Sequence, residues 1–510
     1  MHKTMTTYRF QAAIASAFAA LLLTGCRVGP RYQRPPAAAQ APPASYKESP
    51  TQFPGSDSWK VAQPQDAMLH GKWWEIYNDP ELNALEERLN IDNQNIKQFF
   101  ANFMEARTLI AQARSQLFPT ASVGLSYSRS QSSANVGNAV TPSTNGTAQN
   151  NLTSLPFDVS WEPDLWGKVR NQIREEQANA QLSAADLENE KLTEQATLAI
   201  TFFEIRGQDA LQDVFNQTVD ADKKALELTR SLYDTGVDDE ISVVEAENTL
   251  QNAQAASINV GVARAQFEHA IAVLIGTNPS AFSIPVKPLN AAPPAVPIGV
   301  PSQLLERRPD IAASERAMAA ANAQIGVATA AFYPTLTLSA EAGFESSALS
   351  RLFDWSSRFW SVGPSVSETL FDAGLRRATV NQYVFTYNAD VASYRQTVLT
   401  AFQQVEDSLA QVRILSQQIQ QQQLAAQSAQ HFVDLETARY ETGVDPYIDV
   451  VTAQTTLLAD QQTLSTLHTQ EMTGSVQLIE ALGGGWDSSQ LPTPAEVSKK
   501  LTPADTAIQK

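Results

Sequence analysis

The 510-residue sequence predicts a mixed α+β membrane protein in which several subunits share one β-barrel that continues into a cylinder of very long helices. Three features predict it. First, the chain repeats itself: eleven of the eighteen positions from Tyr233 to Leu250 are identical to their counterparts 207 residues downstream, and both copies open on Tyr-x-Thr-Gly-Val-Asp. Second, each Thr-Gly break separates long Ala/Gln/Leu-rich stretches that hold no other strong breaker, the pattern of a tight turn ending a helical hairpin. Third, four stretches alternate between an apolar face and a polar or small one over about ten residues, the length of a tilted membrane-spanning strand. A bilayer leaves no backbone group without a partner, so an open sheet cannot cross it, and four strands are too few to close a barrel. Two copies would reach the smallest known barrels, with a filled interior, whereas three would leave a usable lumen.

Composition narrows the function classes. With 43% hydrophobic residues the chain can bury a large core. Its net charge of −18 argues against a nucleic-acid partner, which demands clustered Lys and Arg. The five histidines and six methionines fall in no metal-ligand spacing, and no phosphate loop, H-E-x-x-H or G-x-S-x-G occurs. Nothing points to an enzyme, and no cofactor is expected beyond a covalent lipid.

In chain order, residues 1–25 read as an export signal: Lys3 and Arg9 precede an apolar run from Phe10 to Leu23, too short for an ordinary transmembrane helix. The run ends Leu23-Thr-Gly-Cys26, which resembles a bacterial lipobox, and Cys26 is the sole cysteine. Acylation of Cys26 with diacylglycerol and a further acyl chain is the expectation, and Arg27 after it fits sorting to the outer membrane. Residues 26–72 form a Pro-rich stretch expected to run as an extended tether. A soluble α+β protein would explain neither the lipobox nor the helices that follow.

The first repeat, 73–276, reads helix, β-hairpin, very long helix, tip turn, helix. Asp79-Pro80 opens a helical pattern that continues to Leu117. Val123, Leu125 and Tyr127 then alternate with small polar residues, and 128–154 reads as a polar loop. Leu155, Phe157, Val159 and Trp161 alternate with Pro156, Asp158, Ser160 and Glu162. From Gly167 a helical pattern continues to Tyr233, a span of roughly 100 Å. A second helix follows the Thr-Gly turn, as far as Ile275-Gly276. Residues 277–301 are a Pro-rich linker, and 302–485 repeat the same order. Phe118-Pro-Thr returns as Tyr333-Pro-Thr, and Leu165-Trp166 as Leu370-Phe371. Residues 486–510 are expected to be a mobile polar tail.

Several separated motifs together resemble the TolC-type outer-membrane efflux family, in its lipoprotein branch containing OprM and NodT. They are Cys26-Arg-Val-Gly-Pro-Arg-Tyr-Gln-Arg-Pro35, Trp73-Trp through Asp79-Pro80, Glu306-Arg-Arg-Pro-Asp-Ile311, Phe332-Tyr-Pro-Thr and both Tyr-x-Thr-Gly-Val turns. The resemblance covers nearly all of the mature chain. It implies a homotrimer with a twelve-stranded barrel in the outer membrane, four strands per subunit, and a twelve-helix α-barrel in the periplasm. It also implies a passive exit duct working with a periplasmic adaptor and an inner-membrane transporter, expected here to be the proton-driven RND type.

In that family the two turns form the periplasmic tip and gate. Gly236 and Gly443 suit a left-handed helix end, and Asp238 and Asp445 suit the start of the next helix. Tyr440 matches the family's gating tyrosine. Asp449 stands where TolC has a lumen-facing aspartate, so three copies would form a carboxylate ring that favours cations; the alternative is a solvated helix-start residue. Ile448 matches an apolar gate residue, with packing inside the hairpin as the alternative. The match is incomplete. Thr452 replaces a second acidic residue, Ser242 an aspartate of the gate lock, and Asp445 an arginine of that lock, so fewer charge pairs are expected at this tip. Val237, Asp238, Asp239 and Glu240, with Val444 and Asp445, are candidates for adaptor docking. The first turn therefore reads as scaffold and docking surface, and the second as the gate. Two alternatives remain open at this point: a duct for protein secretion, and a structural lipoprotein that conducts nothing.

Overall fold

The computed structural model describes residues 27–37, 45–48, 71–131, 149–296 and 301–502. The signal, Cys26, much of the tether, the centre of the first β-loop and residues 503–510 lie outside them.

Two short helices open the first half, α1 (Pro80–Asp92) and α2 (Gln94–Ser115). Asp79 caps α1 by accepting from the amides of Glu81 and Leu82, with Pro80 in the first turn. The helical pattern read as continuous from Pro80 to Leu117 is divided at Asn93. Its carboxamide oxygen accepts from Ile96 N–H at 2.9 Å, while its NH2 donates to Glu194 at 3.0 Å and to the Leu274 carbonyl at 2.9 Å. A buried side chain that satisfies three partners in this way favours a break that hydrophobic spacing alone does not reveal.

Strands β1 (Thr120–Val123), β2 (Ser126–Gln131), β3 (Gln149–Trp161), β4 (Thr335–Ser346) and β5 (Arg358–Ser367) form one antiparallel sheet. β1 and β2 both pair with β3, then β4 and β5 follow, so the sheet is four strands wide. The first strand is interrupted opposite Pro156. Gly124 donates to the Pro156 carbonyl at 3.1 Å, but proline has no N–H to return the bond. On the other side of Pro156, a Cβ on Gly343 would lie 2.3 Å from the Leu155 carbonyl oxygen, so only glycine fits. The register keeps the two faces coherent. Val123, Phe157, Ala342 and Trp360 form one row, and Val159, Ala340 and Val362 another, while Ser122, Asp158, Glu341 and Ser361 share the opposite face. Val123, Leu125, Tyr127, Trp360, Val362 and Val366 are all exposed in the single chain. The strands run further than their alternation suggests. β2 reaches Gln131 and β3 begins at Gln149, inside the stretch read as loop, because there both faces are polar.

Long helices leave the sheet in pairs. α3 (Lys168–Asp234, 67 residues) turns into α4 (Glu240–Leu274, 35 residues). In the second half α5 (Pro309–Ala330) precedes β4, and α6 (Leu375–Glu441, 67 residues) turns into α7 (Tyr447–Ala481, 35 residues). Among the described residues, no helix is long and apolar enough to cross a membrane. The two hairpins meet where α3 packs on α7. There Gly207 permits close approach: a Cβ would sit 2.3 Å from Thr469 Oγ1.

The main core lies between sheet and tip, around Trp73, Leu82, Leu198, Phe202, Ile205, Ile271, Met472 and Ile479. The linker is tied down beside it by buried charges. Arg206 donates to the Pro285 carbonyl at 2.6 Å, Arg264 to that of Ile284 at 2.9 Å, and Lys287 N–H to Asp209 at 2.8 Å. The described parts of the tether, expected to run extended, and of the tail, expected to be mobile, are docked as well. Val28 N–H donates to Trp166, Arg34 to Tyr394 Oη at 3.1 Å, and the amides of Lys47 and Glu48 to the Glu406 carboxylate, while Tyr46 is buried. In the tail, a Thr493–Glu496 capping box opens α8 (Pro494–Val497), and Val497 packs on Ile110 and Ala180. Proline sets an extended path, but partners hundreds of residues away decide whether that path is occupied by solvent or by another helix.

Candidate gate at the tips of two helical hairpins

Both hairpins turn on the same backbone. After α3, Gly236 adopts φ 77°, its N–H donates to Tyr233 O at 2.9 Å, and Val237 N–H donates to Leu232 O at 2.9 Å. After α6, Gly443 adopts φ 71°, donates to Tyr440 O at 2.9 Å, and Val444 donates to Arg439 O at 2.9 Å. This paired closure satisfies the last helical carbonyls and places glycine where other residues are strained. Val237 and Val444 stand exposed at the outer ends of the turns.

Side chains separate the two turns. Asp239, rather than Asp238, caps α4 by accepting from Ser242 N–H at 3.2 Å, and Glu240 is exposed beside it. Asp238 is thereby freed for another role. Its Oδ1 accepts from the Asp239 amide at 2.8 Å and the Ser242 hydroxyl at 2.9 Å, and its Oδ2 accepts the phenolic proton of Tyr440 from the other hairpin. Tyr440 is 4% exposed, and its oxygen also lies 3.2 Å from Thr229 Oγ1. Burial, together with the bond to the Asp238 carboxylate, pushes the phenol up to about 12. Partial burial works to raise Asp238, but donation from Tyr440, the Asp239 amide and Ser242 outweighs it and leaves the carboxyl below its usual range.

In the second turn the N-cap position holds Pro446, which offers no capping side chain. Asp445 therefore caps nothing; it is clamped in two-pronged fashion by Arg439 of its own hairpin, one arm being Nη2 to Oδ1 at 2.9 Å. The hydrogen bond from Arg439 holds Asp445 below its ordinary value. Asp449, in the first turn of α7, lies with Glu436 and Asp445 so that one carboxylate oxygen of each falls within 4.8 Å of the others. Ile448 is half-exposed.

An apolar cluster just above the turns joins the hairpins: Leu226, Ala246, Tyr440, Tyr447 and Val450 are buried together, and the two tyrosine rings lie 5.2 Å apart. Asp222 on α3 is buried near it. Desolvation pushes this carboxyl up to about 6, and one of its oxygens has no hydrogen-bond partner. The Tyr447 hydroxyl is likewise buried without a partner, and burial plus the nearby Asp222 charge raises it.

Sequence reasoning placed Tyr440, Ile448, Asp449, Gly236 and Gly443 at the tips. It missed that Asp238 meets Tyr440, 202 residues away, and that Thr229, Arg439, Glu436 and Asp222 join them. The signal available for Asp238 was Ser242, one helical turn later. The carboxylate expected at position 242 is supplied from 238, and Ser242 helps hold it.

An open four-stranded sheet with one continuous apolar face, feeding two long helical hairpins whose tips latch together, is the fold of an outer-membrane channel protein. The chain belongs to the outer membrane efflux protein family, whose model matches residues 85–277 and 300–484. That family is a class of channels, not of enzymes. The chain is 31% identical over 484 residues to the probable efflux pump outer membrane protein TtgC of Pseudomonas putida, covering 93% of this chain and 96% of that one. It is 28% identical over 442 residues to the pyoverdine export outer membrane protein OpmQ of Pseudomonas aeruginosa, covering 86% and 92%. Among solved structures it resembles the outer-membrane channel OprN, with a TM-score of 0.80 at 28% identity, over 90% of this chain and all of the other.

Proposed function

We propose that the chain is the outer-membrane exit duct of a tripartite efflux system, passively conducting small organic molecules delivered by an inner-membrane pump and a periplasmic adaptor. One observation carries this reading: a member of the outer membrane efflux protein family presents a membrane-length sheet with unpaired outer edges, continuous with 67-residue helices. The edge strands need partners in a bilayer. Three copies arranged around an axis supply them, closing a twelve-stranded barrel above a twelve-helix periplasmic barrel. Acylated Cys26 anchors each copy in outer-membrane lipid. Relatives named for efflux and for pyoverdine export support a small-molecule cargo over a secreted protein, and a proton-driven RND pump is the expected source.

The tip works as an iris. Tyr440 and Asp238 hold the two hairpins of a chain together, the Asp449 carboxylates form a cation-favouring ring around the axis, and Ile448 narrows it with an apolar constriction. The exposed turn residues Val237, Glu240 and Val444 are the adaptor-facing surface. The duct reading is tested by purifying the protein from outer membranes. Heat-stable trimers that form ion-conducting pores in planar bilayers are expected; a folded monomer without conductance overturns it. Asp449→Ala is expected to reduce cation selectivity and divalent block, and unchanged values of both remove the ring assignment. Cys26→Ala is expected to abolish incorporation of labelled palmitate.

A further inference from the structure

A cleft of about 430 Å³ opens where the residues before α1 meet α3, α7 and the linker, beside the main core rather than at the tip. Small-molecule sites occupy roughly 300–1,000 Å³, so the cleft has the size of one. Its walls include the rings of Tyr77 and Phe203, 4.9 Å apart, with Phe202, Met472 and linker residues between Pro288 and Pro294. Tyr77 offers only its ring, because its hydroxyl lies 2.8 Å from Ser475 Oγ. Arg206 lines the same cleft, with its guanidinium carbon 4.7 Å from the centroid of the Phe202 ring, and is 2% exposed. Its Nη1 donates to the Pro285 carbonyl and pairs with Asp209, and its Nη2 pairs with Glu81. The buried Nε–H has no acceptor among the described residues. Such a donor has given up its hydration without replacement, a cost that an oxygen bound in the cleft would remove.

We propose that this cleft binds a small neutral molecule carrying a carbonyl oxygen on an aryl or branched-alkyl body. The oxygen accepts from Arg206 Nε, and the body lies against Tyr77, Phe203 and Met472. Charge decides between a neutral acceptor and an anion. Around the cleft Arg206, Arg264 and Lys287 pair with Glu81, Asp79, Asp209 and Glu268, three cations with four carboxylates. An anion would add to this surplus of negative charge, and Asp79 itself lines the cleft. The carbonyl of an amide, ester or lactone satisfies the open N–H and leaves those pairs intact. A hydrocarbon cannot satisfy it, and water alone would satisfy it while leaving the apolar walls uncovered. The same residues tie the linker to α3, through Lys287 N–H to Asp209 at 2.8 Å and Leu289 N–H to the Arg206 carbonyl at 3.0 Å, so an occupant holds the linker more firmly on the core. The site stands apart from the duct reading, since it needs neither a lumen nor a second copy.

The probe is acetanilide, whose amide oxygen and phenyl ring match the site, titrated into the full-length protein in lipid nanodiscs and followed by saturation-transfer NMR. Saturable transfer to the phenyl protons is expected. Toluene, which lacks the acceptor, and benzoate, which adds a charge, are each expected to bind more weakly by roughly fivefold, the worth of one neutral hydrogen bond. Lys287→Gln is expected to leave acetanilide binding unchanged; its loss there, or tighter binding of benzoate than of acetanilide, overturns the neutral-carbonyl assignment. Ala292→Trp, which fills the cleft from the linker, is expected to abolish binding. Photolabelling of the unaltered protein with 4-azidoacetanilide places the site without any substitution. Label on Tyr77 or on the linker between Lys287 and Pro294 is expected, and label confined to other segments, or no saturable binding at all, overturns the site.

Discussion

The two tip turns share their fold and differ in their chemistry. Their glycines, their main-chain closures and their exposed valines are interchangeable. One turn, however, sends its aspartate across to the other hairpin, while the second turn keeps its aspartate at home on Arg439. The difference teaches that a duplicated backbone need not retain a duplicated function. Three positions decide the outcome: a helix-capping Asp against a Pro, a Ser against an Asp, and a Leu against an Arg. They determine whether a carboxylate is free to bridge hairpins.

Six substitutions, read as four tests, would break or sharpen that comparison. The largest effect is expected from Asp238→Ala, which leaves the buried Tyr440 hydroxyl without its charged acceptor. Loss of such a bond costs roughly 2–3 kcal/mol, read as raised open-state conductance, whereas Asp445→Ala should leave conductance nearly unchanged. If the two behave alike, the asymmetry is wrong. Asp222→Asn comes next. Because the folded carboxyl titrates near 6 and an ordinary one near 3.8, the folded form holds its proton more tightly, so stability is greatest below about 4 and falls as pH rises to about 6. The asparagine variant is expected to lose that pH dependence and to gain on the order of 1–3 kcal/mol at neutral pH, measured by thermal unfolding at pH 4, 5, 6 and 7. A melting curve that shifts with pH as in the parent chain assigns the effect elsewhere.

Gly236→Ala and Gly443→Ala are a matched pair. Both glycines have positive φ with open space around them, so each alanine should cost about 1 kcal/mol through backbone strain alone. Unequal costs would mean that the turns are not the same backbone object. The smallest effect is expected from Arg439→Gln. Its pair with Asp445 is solvent-exposed, so the change should be slight, and what remains should disappear in high salt. A large, salt-independent change would show that Asp445 acts beyond its own turn.

Much of the fold was legible because strong local signals marked it. Thr-Gly in both repeats located the tips, and Asp79-Pro80 opened α1. Alternation placed the strands on the correct faces but ended them early, since the outer parts of β2 and β3 are polar on both sides. Proline-rich composition read the tether as extended but did not reveal that Tyr46 is buried, and the tail's polarity concealed the docking of Val497. At the site, residue types were readable and partners were not: Tyr440 stood out, but Asp238 looked like a helix cap.

The sequence by itself determined the internal repeat, the alternating faces of the strands, the lengths of the four hairpin helices and the two reversal points. Each depends on spacing within a few residues, where backbone sterics and hydrophobic period leave little choice. Only the tertiary structure decided which turn reaches across to the other hairpin, where the described parts of the tether and tail lie, and which helix faces stay bare. Those outcomes depend on which carboxylates find donors and which apolar surfaces find cover among residues hundreds of positions apart, and local periodicity carries no record of such pairings.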